Sequence, residues 1–224
     1  MSLTLTGVGG KLSKAAGGGG PVAFVSSVVG TINFTPALTV TSVAPSGSDR
    51  LLLVGIHWSD ATATVGTVVF NTSESLTRLG GGIQGILHSD IWYLIAPSVT
   101  TASLVITMAG ATSMGSLMAG ANWLTGTHQT TPLTDFQSFG TVVNPGAQPT
   151  LTISSTTNDL VFDALMVESA PTIGAGQTLR YTTAGNSLES RGSTEPGAAS
   201  VTMSWSAISN FSAYIHTACN IESS

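Results

Sequence analysis

The sequence predicts an all-β protein: an antiparallel two-sheet β-sandwich, jelly-roll-like, with an extended N-terminal arm. Three observations carry that expectation. Only 8% of the 224 residues are charged, while alternating runs of Val, Ile, Leu, Thr and Ser recur along the chain; period-two alternation marks strands with one buried face. No stretch keeps a helical apolar period over a useful length. The 26 glycines and 9 prolines fall largely in short clusters between the apolar runs, where turns are needed.

Residues 1–21 read as a flexible Gly-rich arm. Their only charges are Lys11 and Lys14, and residues 17–20 are four consecutive glycines. Glycine loses the most conformational entropy on ordering, and little apolar surface is present here to offset the cost. Such an arm orders only against a partner. Fully extended, its ~20 residues reach roughly 65 Å, enough to cross a neighbouring subunit.

Residues 22–224 read as one β-sandwich domain. Period-two runs occupy 22–29, 37–43, 51–58, 65–71, 87–95, 103–108, 116–124, 149–154, 159–168, 200–206 and 211–221. The breaks between them are turn-like, including Gly80-Gly81-Gly82, Asn144-Pro145-Gly146 and Glu195-Pro196-Gly197. The best helical candidate, 112–124, contains Gly115 and Gly120 and suits a strand at least as well. Many strands without crossover helices imply antiparallel sheets in two layers. The chain contains no close internal repeat; Leu52-Leu53-Val54-Gly55-Ile56 resembles Leu160-Val161-Phe162-Asp163-Ala164, a likeness that generic strand patterning explains.

Composition excludes several functional classes. Six basic residues against eleven acidic ones leave a net charge of -5, and the dispersed cations do not build a phosphate-binding track, so no direct nucleic-acid contact is expected. No segment approaches eighteen uninterrupted apolar residues and none resembles a signal-peptide core, so neither a membrane nor export is expected. The single Cys219 reads as a buried, unreactive thiol.

The residue types that carry chemistry form no local signature. His57, His88, His128 and His216 lack metal-ligand spacing, and Asp60, Asp90, Asp159 and Asp163 read as solvated strand-end carboxylates rather than a calcium loop. Gly-x-Ser-x-Gly is absent. Asp163 and Glu168 are the nearest apolar-flanked carboxylate pair, but their spacing places them on opposite faces of an unbroken strand. Trp58, Trp92, Trp123 and Trp205 read as core, with Tyr93 the better surface ring. No catalytic residue, cofactor or metal ligand is therefore expected, and the chain reads as a non-enzyme.

Several segments resemble a β-sandwich module of phage virion proteins and of bacterial proteins of phage-like or surface origin. They are Leu51-Leu52-Leu53-Val54-Gly55-Ile56-His57-Trp58, Ile91-Trp92-Tyr93-Leu94-Ile95-Ala96-Pro97, Gly126-Thr127-His128-Gln129-Thr130-Thr131-Pro132-Leu133 and Asn158-Asp159-Leu160-Val161-Phe162-Asp163. Gly174-Ala175-Gly176-Gln177-Thr178-Leu179-Arg180 and Gly192-Ser193-Thr194-Glu195-Pro196-Gly197-Ala198 continue the series, the last read as a long polar turn feeding the strand with Met203 and Trp205. The resemblance implies a structural virion protein of a tailed phage, made in the host cytoplasm, that decorates and cements the capsid. Its expected partners are the major capsid protein and copies of itself, for instance as a homotrimer, with Lys11 and Lys14 meeting carboxylates on the shell. The alternatives are a tail-fibre or receptor-binding protein that recognises a glycan and, further off, a carbohydrate-binding module or hydrolase.

Overall fold

Sixteen strands form in the computed structural model, which describes residues 20–43, 47–111, 114–143, 146–208 and 212–224. Lys11 and Lys14 lie outside the described residues. All pairings between the strands are antiparallel, as expected for an all-β sandwich.

Two five-stranded sheets face each other at the centre. The first has the order β1-β9-β3-β7-β6, from β1 (Ala23–Asn33), β9 (Ser116–Thr125), β3 (Leu51–Ser59), β7 (Leu87–Ile95) and β6 (Thr77–Gln84). The second has the order β10-β16-β12-β14-β13, from β10 (Leu133–Val143), β16 (Ser212–Ile221), β12 (Leu160–Val167), β14 (Leu188–Pro196) and β13 (Thr178–Gly185). The outer face of the first is covered by β2 (Ala37–Val43), β8 (Thr101–Ala109), β4 (Thr64–Phe70) and β5 (Glu74–Ser75). The outer face of the second carries only β11 (Thr150–Ile153) paired with β15 (Val201–Ser204). The stack therefore has four layers where the alternation predicted two.

Burial on both faces explains the sequence of the central strands. Every residue of β3 and β12 is buried. In β3, Leu52, Val54, Ile56 and Trp58 pack under the outer sheet, while Leu51 and Leu53 meet Leu160 and Phe162 of the opposing sheet. A strand covered on both sides has no polar face to show, so it reads as a continuous apolar run.

The two halves of the chain share one topology. In chain order, β1, β2, β3, β6, β7, β8 and β9 correspond to β10, β11, β12, β13, β14, β15 and β16, and the two central sheets have the same strand order. Registers agree as well. Leu51 pairs Ile95 and Leu124, and Leu160 pairs Pro196 and Ile221. In β6 a bulge falls between Arg78 and Gly80, opposite Trp92 and Ile91; in β13 it falls between Leu179 and Tyr181, opposite Ser193 and Gly192. Both hairpins close with two residues, Gly85-Ile86 and Asn186-Ser187. Asn186 and Ser187 both take positive φ, as a type I′ turn requires, whereas only Gly85 does so in the first hairpin.

A pseudo-twofold axis running along the strands relates the halves. Equivalent positions Gly55 and Ala164 face each other across the central layer. The edge strand β1 packs on β13 while its counterpart β10 packs on β6, the reciprocity of an isologous interface. One difference is β4–β5, which has no full counterpart in the second half. An isolated bridge between Ile173 and Trp205 sits where β4 pairs Val65 with Met108.

The structure corrects three expectations. Gly80-Gly81-Gly82 lies inside β6 rather than in a turn, because its backbone approaches β10 and β16 closely: a Cβ on Gly80 would meet the Phe136 ring and one on Gly82 the Ile215 side chain. Residues 192–196, read as a polar turn, belong to β14, whose Ser193 and Thr194 are buried. The likeness between the 52–56 and 160–164 segments reflects equivalent central strands, Leu51 matching Leu160. Residues 116–124, read as a strand, form β9 as expected, almost wholly buried.

The pseudo-symmetry makes a circular permutant feasible. Gly126 touches Pro21, and its carbonyl accepts the Ser224 N–H at 3.0 Å, so the C-terminus lies beside the start of the body. Joining Ser224 to Val22 by a short Gly/Ser linker and opening the chain between the exposed Thr130 and Thr131 should give a cooperative unfolding transition. Calorimetry should place it within roughly 5 °C of the parent, about 1–2 kcal/mol at this size.

Candidate functional site

The side chains able to do chemistry are mostly drawn inside. Trp58, Trp92, Trp123 and Trp205 are all buried, as the strand alternation predicted, and Tyr93 is half-buried against the central core. Cys219 is buried, and burial pushes its thiol well above the ordinary range. The four aspartates are not solvated strand ends. Asp60, Asp90, Asp159 and Asp163 are each no more than 5% exposed, because each gathers protein donors that replace water. Asp60 accepts the Thr62 and Ala63 N–H groups, and Asp90 receives a bidentate Arg78 at 2.7 and 2.9 Å. For Asp159, burial alone would raise the carboxyl, but hydrogen bonds from Ser223, Asn220 and Thr156 outweigh it and hold it below its usual value.

Asp163 stands at the centre of β12, on the face turned to the small outer sheet. Its Oδ1 accepts the Ser193 N–H at 3.0 Å and the Ser193 hydroxyl at 2.5 Å; its Oδ2 accepts Trp205 Nε1–H at 2.8 Å and bonds His216 Nε2 at 2.8 Å. Asp163, Ser193 and His216 are fully buried. The equivalents of Asp163, His216 and Trp205 in the first half are Val54, Ala119 and Met108, an apolar cluster under the larger outer sheet. With fewer strands to cover it, the second half fills the same layer with long polar and aromatic side chains. The Ser, His and Asp do not form a nucleophilic triad, since Ser193 donates to the acid and not to the imidazole. Glu168 lies at the end of the body, away from this cluster.

A second polar group occupies the layer between the central sheets. Ser190 Oγ lies 2.7 Å from His57 Nδ1, and Ser89 Oγ lies 2.8 Å from Thr217 Oγ1. Ser89 and Ser190 are equivalent positions, paired with His57 and Met166. Burial, with a smaller contribution from His216, pushes His57 down to about 3. The Tyr181 ring fills a socket floored by Gly55, Gly120 and Gly192, each of which would strike it with a Cβ; burial pushes its hydroxyl upward. Sequence reasoning passed over Ser190, Ser193 and Tyr181, whose only signal was a polar residue opposite a strand that needs none.

Of the recesses that reach the surface, two bear on the site. One, of ≈ 410 Å³, is lined by Arg78, Asp90, Gly81, Gly82 and Ile83 over the stacked rings of Trp58 and His88, whose centroids are 4.5 Å apart. The other, of ≈ 730 Å³, is a cleft at the end of the sandwich where β3 and β12 finish. Its lining comes in equivalent pairs, Leu87 with Leu188, Gly85 with Asn186, Ile86 with Ser187 and Ser59 with Glu168, so the pseudo-twofold axis emerges through it. Its volume suits a ligand or a short peptide segment. Among the described residues no three His, Cys, Asp or Glu side chains converge as a metal site requires.

No known family, curated protein or solved structure matches this chain.

Two substitutions report on the buried groups. Asp163→Asn replaces half of an acceptor that serves four donors, and urea unfolding should show a loss of about 3–5 kcal/mol. His57 is held neutral in the fold while the unfolded chain titrates near the ordinary 6.5 of an exposed imidazole. The unfolded state therefore binds more protons between about 3 and 6.5, so stability is complete above that window and falls as the pH drops through it. At pH 5 the loss should be on the order of 2 kcal/mol. In His57→Met, which installs the residue of the equivalent position, that part of the slope between pH 6.5 and 5 should vanish, leaving the contribution of His88, which burial also holds below its ordinary value.

Proposed function

We propose that this chain is a structural protein of a tailed-phage virion, a jelly-roll-like body that decorates the capsid and stabilises it by packing between neighbouring subunits. The observation that carries the reading is the placement of the exposed apolar side chains. Val25, Val29 and Leu179 lie along the β1–β13 edge, and Ile83, Phe139 and Val142 along the β6–β10 edge. Apolar groups on two opposite narrow edges suit a subunit flanked on both sides, in which neighbours bury what a solitary copy exposes. Low charge favours such contacts, because few ions must be desolvated. The partners in this reading are the major capsid protein and further copies of the chain.

The resemblance of the 51–58, 91–97 and 192–205 segments to virion β-sandwich modules supports the same reading. A glycan-binding tail fibre would rest on exposed rings; the four tryptophans are interior, which leaves it Phe34 and Phe139.

Deleting residues 1–20 tests the proposal on the particle. Mass spectrometry of purified virions should find the full chain at high copy number on the head and the truncated chain at least about tenfold depleted, with its circular dichroism melt unchanged. A chain absent from particles, or retained only at the tail in a few copies, would overturn it.

A further inference from the structure

The cleft on the pseudo-twofold axis has an apolar floor of Leu87, Leu188 and Ala213, a rim bearing Glu168, and no Lys, Arg or His in its lining. It opens at the end of the body opposite to the one where the chain enters. β1 starts beside Thr125 and finishes at Asn33, level with the cleft, so residue 20 leaves from the far end. The preceding segment has the complementary chemistry: apolar Leu3, Leu5, Val8 and Leu12, and Lys11 and Lys14 as its only charges.

We propose that residues 3–14 of one copy dock in the axial cleft of a second copy. This rests on the assembly reading above but gives the arm a different receptor, the neighbouring copy rather than the shell. An 11-residue strand such as β1 spans about 36 Å, whereas the segment before residue 20 can extend roughly 60 Å. A copy placed head to tail brings its cleft directly onto the departing arm, while docking in its own cleft would use more than half that reach in running back along the body. Docked as an extended strand, Leu3-Thr4-Leu5 would offer both leucines to the apolar floor, and the lysines that follow would meet Glu168 at the rim. The contact is heterologous, so it propagates into a row or closes into a ring.

The test combines association with peptide binding. Sedimentation velocity should show concentration-dependent association of the full chain and a monomer when residues 1–20 are deleted. A fluorescein-labelled peptide of residues 1–20 should bind the truncated body by anisotropy, and Glu168→Lys with Val142→Arg, both exposed positions, should weaken it at least tenfold without changing the circular dichroism melt. No peptide binding, or binding indifferent to those substitutions, would sink the inference. Peptide binding by the truncated body together with a full chain that stays monomeric would mean that the arm closes on its own cleft, which also overturns it. Incorporation into particles is read separately: a chain found on virions that does not self-associate defeats this inference and leaves the assembly reading standing, and the converse result defeats the assembly reading.

Discussion

The whole architecture depends on burying the two central sheets on both faces. A strand such as β3, with all nine residues inside, cannot exist in a plain two-layer sandwich, because alternate side chains would point into water. Outer layers are therefore obligatory, and β2, β8, β4 and β5 supply one of them. The same constraint sets the composition. With both faces committed to packing, charge has little room, and the few charged side chains that enter the interior each arrive with a set of protein donors.

The halves meet this constraint differently. Phe70 and Val68 of β4 press on Trp123 of the first central sheet, and the centre of that layer is apolar. The second half, with only a bridge at Ile173 in the place of β4, closes over its sheet with the loop carrying Gln177 and with Trp205. Gln177 donates to Ser193 at 2.6 Å and accepts the Ser204 N–H at 2.8 Å, so a loop is stitched into position by hydrogen bonds where a strand would use its ladder. Directional bonds hold a short cover more firmly in place than apolar contact of the same area would.

Much of this was legible in the sequence. Eleven of the strands fall where period-two alternation placed them, and the tryptophans and Cys219 are interior as read. Two of the misses share a cause. β6 and β13 are rich in Gly, Thr and Arg because they lie at sheet edges, where close approach or solvent replaces apolar packing. The internal correspondence was hidden by a one-residue offset: matching Leu52 with Leu160 reverses every side chain to the wrong face, while Leu51 with Leu160 aligns them. The cleft was beyond the sequence altogether, since its walls come from six different strand ends brought together by the axis.

Two halves of one topology invite a specific error, in which the first central sheet of one molecule stacks on the first central sheet of another. Tyr181 guards against it. In the correct pairing its ring lies over Gly55 and Gly120. Stacking two second sheets would drive that ring into the Cβ atoms of Ala164 and Thr217, and stacking two first sheets would set Gly80 over the glycines and leave a void the size of a phenol. One tyrosine and its glycine socket thus distinguish a sheet from its own copy.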